Sequence, residues 1–164
     1  DDPQYGKDGT DGAFPRVAAV RVVKDEEQLR VGDIAITAHL TPGHTPGSTA
    51  WSWKSCEGSS CLDLVYADSL TAVSLDGFRF LGDATHGDIS ESFRRSIAKV
   101  AALPCDIMLS THPGASGLFE RLARRESSPR PDPLIDNQAC RAYATNALRN
   151  LDQRLKAEGR TAAK

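Results

Sequence analysis

Two histidines occupy matching positions in the sequence. His44 stands in the turn-forming stretch TPGHTPGS and His112 in STHPG, and each follows a strand-like run. A strand fixes the position of such a ring, and Pro and Gly set the backbone, so the imidazole needs little further ordering to bind a metal. We therefore predict His44 and His112 as metal ligands, with a purely local hydrogen bond as the alternative for each.

A third strand-like run ends at YADS and places Asp68 and Ser69 next to each other. A carboxylate at the end of a strand can bind zinc or orient a ligand histidine, and an Asx turn that closes the strand is the alternative. The other two histidines are left out of the predicted site. We expect His39, inside a strand, to be a structural group and His86, in the polar loop GDATHGD, to lie on the surface.

The elements that must position these residues follow from apolar periodicity. Strands are predicted at residues 17–23, 29–31, 33–40, 49–53, 62–66 and 106–110, and helices at 90–103, 118–125 and 137–158. Residues 75–82 are predicted as a loop or short strand. Strands followed by a helix, a strand and further helices indicate an α/β fold, a mixed sheet with helices on one face.

Composition restricts the class of protein. The chain has 164 residues, enough for one domain, with 20 basic and 22 acidic residues. A net charge of −2 argues against a nucleic-acid partner, and no apolar stretch approaches the roughly 18 residues that span a bilayer. The opening DDPQ contains neither an initiator Met nor a signal peptide, which we interpret as a processed product or a fragment.

The cysteines have the layout of a disulfide framework. Cys56 and Cys61 bracket the polar stretch EGSS, as at the tip of a hairpin, which would leave Cys105 and Cys140 to close a longer loop. An even number in this layout favours an exported protein in an oxidising compartment. Four reduced cysteines in a cytosolic protein are the alternative.

These motifs carry a family resemblance. Residues 41–53 (TPGHTPGSTAWSW) resemble the third metal motif of metallo-β-lactamases, and 110–113 (STHP) resemble the last one. The WSW tail, YADSL at 66–70 and residues 132–143 resemble the third subclass of the class B enzymes, in which Ser replaces a Cys zinc ligand. Residues 2–6 (DPQYG) resemble its active-site rim loop. The cysteine pairs are similar to those of acquired carbapenemases of the Adelaide imipenemase type.

The resemblance implies an αββα sandwich of which residues 1–164 are the C-terminal half of a single domain. His44 would complete a three-histidine site for one zinc, and His112 an Asp-His-His site for a second. Ser69, Thr71 and Gln4 would contact the substrate. The implied activity is hydrolysis of penicillins, cephalosporins and carbapenems in the bacterial periplasm by a hydroxide held between two zinc ions.

The chain departs from the family in one large respect, because the motif His-x-His-x-Asp-His is absent from it. Two zinc sites need about six protein ligands, and only His44 and His112 match. We therefore expect the isolated chain to be inactive and to need an N-terminal half, which would also cover an apolar sheet face. One alternative is a glyoxalase II or lactonase relative, in which Asp68 would bridge the metals. A non-catalytic fragment is the other.

Overall fold

Five strands and three α-helices make up the structure, a computed structural model that describes residues 17–128 and 130–162. In chain order they are β1 (Gln28–Val31), β2 (Ile34–Leu40), β3 (Thr49–Glu57), β4 (Ser60–Ala67), α1 (Ser90–Ala102), β5 (Ile107–Ser110), a 3₁₀ turn (Pro113–Ser116), α2 (Leu118–Ser127) and α3 (Ala139–Ala162).

The strands form one mixed sheet in the order β1-β2-β3-β4-β5. The first four are antiparallel neighbours, and β5 runs parallel to β4. A tight turn at Gly58, with φ +60°, joins β3 to β4, and glycine adopts this left-handed conformation without a Cβ clash. Helix α1 lies in the β4–β5 connection, since parallel neighbours require a crossover.

The core lies on one face of the sheet. Alternate residues of the inner strands, Ala50, Val65, Ala67 and Met108, are buried. They form one cluster with apolar side chains of α1 and α3, namely Phe93, Ile97, Val100, Tyr143, Ala144, Ala147 and Leu151. The prediction of an α/β fold with helices on one face of a mixed sheet is therefore confirmed. Within the described residues, no helix is long and apolar enough to cross a membrane.

The opposite face of the sheet carries large apolar side chains that do not belong to this core. We call it the uncovered face, because the described helices α1 and α3 pack on the other side of the sheet, and define it by Ile36, Trp51, Trp53, Leu64 and Tyr66. In register, Trp51 pairs with Tyr66 and Trp53 with both Leu64 and Ile36, so the five side chains are neighbours. The Trp side chains are half-buried and Tyr66 is 38% exposed.

The predicted strand at residues 17–23 is wrong. Val17, Val20 and Val22 are 73–83% exposed, and the run pairs with no strand of the sheet. An apolar run becomes a strand only where a neighbour takes up its backbone hydrogen bonds. Residues 75–82 form a loop, and the hairpin β3–β4 continues past the predicted ends at 53 and 62 to its tip. The other elements were predicted to within a few residues.

Both cysteine pairs are disulfides, as predicted. Cys56–Cys61 joins facing residues at the tip of the β3–β4 hairpin. Cys105–Cys140 joins the residue that follows Pro104 to the first turn of α3. Because 35 positions separate its two cysteines, the second bridge removes more chain entropy from the unfolded state than the first, whose cysteines are five apart.

The long connection from β4 to α1 is fixed to α3 by a buried carboxylate. Glu158 is 7% exposed and accepts hydrogen bonds from the backbone N–H groups of Phe80 and Leu81, at 3.1 and 3.0 Å. Arg154, one turn earlier, pairs with Glu158 at 2.6 Å and donates to the Phe78 carbonyl at 2.7 Å. This cluster holds residues 78–81 against the helix.

Replacing the buried carboxylate should destabilise the chain strongly. Glu158→Ala leaves two backbone donors and the Arg154 guanidinium without their acceptor, at a cost of about 3 kcal/mol in the free energy of unfolding. Urea denaturation measures the change. Glu91→Ala removes an equal charge from an exposed i,i+3 pair on α1 and should change stability by less than about 0.5 kcal/mol. Equal effects of the two variants would contradict the anchoring role.

Candidate functional site

Three loops leave the sheet at the same end. Leu40, the last residue of β2, pairs with Thr49 at the start of β3, and Ala67 at the end of β4 pairs with Ser110 at the end of β5. The segments 41–48, 68–71 and 111–112 therefore start from neighbouring points. We call this the site end of the sheet, and the segments the site loops.

The loop that carries His44 is rigidly held. The Thr41 N–H donates to the Ser48 carbonyl at 2.8 Å, which closes the loop at its base. The Ser96 hydroxyl of α1 donates to the Pro42 carbonyl at 2.7 Å. The chain just before this loop is also tied to α1, because Lys99 contacts Asp25, whose carboxylate accepts the N–H of Leu40. The Lys99 hydrogen bond, with a smaller effect from that backbone N–H, lowers the pKa of the Asp25 carboxyl below its usual value.

Close packing on α1 also explains the glycine before His44. A Cβ atom at Gly43 would lie 2.2 Å from the ring of Phe93, a distance that real Cβ atoms do not reach. The absence of a side chain at Gly43 thus lets the loop sit directly on the helix. Only glycine permits so close an approach between backbone and ring.

The ring of His44 is oriented by Thr71. Its Nδ1 lies 3.0 Å from the Thr71 carbonyl oxygen, and because that oxygen can only accept, Nδ1 carries the hydrogen. A neutral ring in this tautomer has its lone pair on Nε2. A histidine that donates through one nitrogen to a backbone carbonyl is the usual arrangement for a metal ligand.

Ser69 and Thr71 lie beside this ring. Their hydroxyl oxygens are 2.8 Å apart, and the Thr71 hydroxyl is 3.4 Å from Nδ1 of His44. The structure thus brings together three of the predicted site residues. Ser69 is only 3% exposed, whereas Thr71 is half-buried, so Thr71 is the more accessible of the two hydroxyls.

Both oxygens of Asp68 are taken up by the backbone. One accepts the N–H of Thr49 at 3.2 Å, and the other accepts the N–H of the next residue, Ser69, at 2.7 Å. The carboxylate therefore ties the start of β3 to the end of β4. This arrangement favours a structural role for Asp68 over the metal-bridging role of the lactonase alternative. The bond to Ser69 is not the bond to residue i+2 that defines the expected Asx turn.

His112 lies just past β5 and is exposed. Its backbone N–H donates to the Ser110 hydroxyl at 3.2 Å, and its carbonyl accepts from Ala115 in the 3₁₀ turn at 2.8 Å. The main chain is thus fixed, while the ring makes no hydrogen bond to any residue that the structure describes. Gln4, the remaining predicted contact, lies outside the described residues.

The described residues do not complete a zinc site. No group of three or more His, Cys, Asp or Glu side chains within residues 17–128 and 130–162 could hold a metal ion. A catalytic zinc usually keeps three protein ligands, and of the two predicted ligands only His44 has a ring that a hydrogen bond among the described residues orients as a ligand's would be. The remaining donors would have to come from outside these residues.

The two histidines left out of the site are indeed elsewhere. His39 is buried, and its ring contacts Glu26 at 3.0 Å and Ser52 at 2.7 Å, as expected for a structural group. His86 is less exposed than predicted, because its ring stacks on Phe78 with centroids 4.4 Å apart.

Sequence reasoning missed two residues at the site end. Tyr143 of α3 and Ser110 of β5 both hydrogen-bond within the site loops. Tyr143 lies in the four-residue apolar repeat of the helix and in the resemblance over residues 132–143. The repeat predicts packing, and neither signal indicates a role for the hydroxyl.

Solved structures share this fold. Rm3 metallo-β-lactamase is 43% identical with a TM-score of 0.85 and matches 89% of this chain and 54% of its own. MEM-A1, a subclass B3 metallo-β-lactamase from a soil metagenome library, is 41% identical with a TM-score of 0.85 and matches 99% and 60%. The metallo-β-lactamase SMB-1, solved with mercaptoacetic acid, is 42% identical with a TM-score of 0.80 and matches 88% and 55%.

The chain resembles the C-terminal half of a subclass B3 metallo-β-lactamase. No family model matches the sequence. The chain spans just over half the length of the solved metallo-β-lactamases that it matches. The mixed sheet with helices is the metallo-β-lactamase fold over that length.

Removing the Asp68 carboxylate should affect folding more than metal binding. We expect Asp68→Ala to lower the free energy of unfolding by about 2 kcal/mol, since the buried N–H of Ser69 and that of Thr49 lose their acceptor. Asp106→Ala is the matched control, because Asp106 accepts the N–H of Asp63 at 2.8 Å at the opposite end of the sheet. Chemical denaturation is measured on the two variant chains, and zinc titration on each variant combined with the expected N-terminal half.

Both variants should lose a similar amount of stability, and neither should change the affinity for zinc. Unchanged stability of Asp68→Ala together with a specific loss of zinc affinity would instead assign Asp68 as a metal ligand.

Proposed function

We propose that this chain is the C-terminal half of a zinc-dependent β-lactamase that opens the β-lactam ring of penicillins, cephalosporins and carbapenems. The observation that carries the proposal is the His44–Thr71 contact at the site end of the sheet, where the ring is held in the tautomer of a metal ligand. Identities of 41–43% to metallo-β-lactamases over most of the chain support it.

In this proposal the chain supplies one ligand to each of two zinc ions, His44 to the first and His112 to the second. Thr71 has a second task besides orienting His44, since its accessible hydroxyl can donate a hydrogen bond to a substrate carboxylate. Ser69, buried beneath it, would fix the Thr71 hydroxyl at 2.8 Å. Gln4 would contact the substrate from the rim.

The missing zinc ligands would come from an N-terminal half of the same domain that packs on the uncovered face. Two observations support this partner. The matched structures are nearly twice as long as the region that this chain covers. The uncovered face is apolar and aromatic, as a surface buried in the complete domain would be. No nucleic acid and no membrane enters the proposal.

We further propose a periplasmic location. Two disulfides in a chain of this size are typical of an oxidising compartment, because thiols are kept reduced in the cytosol.

The test of the function is a native mass spectrum of the purified sample, followed by assays. We expect the 17.7 kDa chain alone to hold no stoichiometric zinc and to hydrolyse no β-lactam. A heavier species that contains the N-terminal half should carry two zinc ions and hydrolyse carbapenems, and a chelator should abolish the activity. A zinc-loaded heavier species without hydrolysis of any β-lactam would contradict the proposal.

Within the active species, His44→Ala should lower kcat/KM about a thousandfold or more, because a ligand of the reaction's metal is lost. The same change at His86, which lies outside the site loops, should leave kcat/KM within about twofold of the wild type. Similar losses in both variants would mean that His44 acts only through the fold.

The uncovered face gives a separate prediction. Trp53→Glu places a charge in the middle of this face and should prevent assembly with the N-terminal half. The chain itself should stay folded, because its core lies on the other face. Gln153→Glu on the exposed surface of α3 adds the same charge and should leave assembly intact. Size-exclusion chromatography separates the outcomes, and assembly of the Trp53 variant at wild-type affinity would exclude this face.

A further inference from the structure

The side chain of Tyr143 reaches from α3 into the site end of the sheet. Its ring belongs to the buried core, with the residue 8% exposed, while its hydroxyl lies between the ends of β4 and β5. The hydroxyl donates to the Asp68 carbonyl at 3.3 Å and accepts from the Leu70 N–H at 3.2 Å and from the Ser110 hydroxyl at 3.4 Å. A tyrosine hydroxyl has one donor and two acceptor positions, so all three are used.

These three bonds connect the loops that carry the two candidate ligands. On one side, Leu70 immediately precedes Thr71, whose carbonyl orients His44. On the other, the Ser110 hydroxyl that bonds Tyr143 also accepts the backbone N–H of His112, at 3.2 Å. One hydroxyl group therefore links the backbone next to the His44 contact with the backbone of His112.

Packing alone does not explain a tyrosine here. Phenylalanine would fill the same space in the core, and a buried hydroxyl is tolerated only where it is hydrogen-bonded. The start of α3 is moreover fixed to the chain ahead of β5 by the Cys105–Cys140 bridge, one turn before Tyr143. The helix thus presents the hydroxyl from a fixed position.

We propose that Tyr143 is a positioning residue that sets the placement of the His44 and His112 loops relative to each other. The inference rests on the proposed function for its consequence in catalysis, and on the hydrogen bonds alone for its effect on the loops. Tyr143 touches neither substrate nor metal in this role, and it acts through Leu70 and Ser110.

The test replaces Tyr143 by Phe, which removes the hydroxyl and keeps the ring. In the 164-residue chain, NMR should show about tenfold faster hydrogen exchange of the Leu70 amide and loss of the protected Nδ1–H signal of His44. Neither readout needs zinc or a β-lactam, so this arm stands even if the proposed function fails. In the active assembly, kcat/KM should fall about ten- to a hundredfold through misplacement of the ligands.

Leu151→Val is the control for general destabilisation. Leu151 is fully buried on the same helix, two turns from Tyr143, and losing one methylene lowers stability without touching the site loops. This variant should keep the wild-type exchange at Leu70 and the His44 signal. Equal changes in both variants, or wild-type behaviour of Tyr143→Phe at both positions, would overturn the proposal.

Discussion

Within the part of the chain that the structure describes, α1 and α3 pack on one face of the five-stranded sheet, and most features of the chain follow from this constraint. The covered face holds the small and aliphatic side chains, such as Val65 and Met108, that pack under α1 and α3. The other face carries two tryptophans and a tyrosine that this core does not enclose. The described residues thus form a core on one side of the sheet, and they do not bring three zinc ligands together.

At the site end of the sheet, most hydrogen bonds fix the main chain and few involve the rings of the histidines. Carboxylates, hydroxyls and carbonyls from neighbouring segments fix the main chain of all three site loops, as Asp68 does for β3 and Ser110 for His112. The ring of His44 is in addition oriented by the carbonyl of Thr71. Rigid loops of this kind reduce the entropy that is lost when their side chains bind a ligand.

Much of this arrangement could be predicted from the sequence because it is local. The turn chemistry around His44, the alternation of Ile34 and Ile36, and the stripe of Phe93 and Ile97 report on immediate neighbours. The run at 17–23 failed because a strand depends on a partner that the run itself does not specify. The Tyr143 contacts were out of reach for the same reason, since Leu70 and Tyr143 are 73 positions apart. Gln4 stays a prediction that the described residues do not reach.

The close approach of Gly43 to the Phe93 ring limits which residues of this loop can be substituted during evolution. Position 43 admits no side chain without displacing the helix beneath it, whereas a Cβ on Gly47, four residues later, would meet open space. The two glycines therefore differ in the substitutions that they allow. Gly43 is restricted by the Phe93 ring, whereas Gly47 is restricted only by the conformation of the turn. Sequence variation among related proteins should therefore be greater around Gly47 than at Gly43, which directly precedes His44.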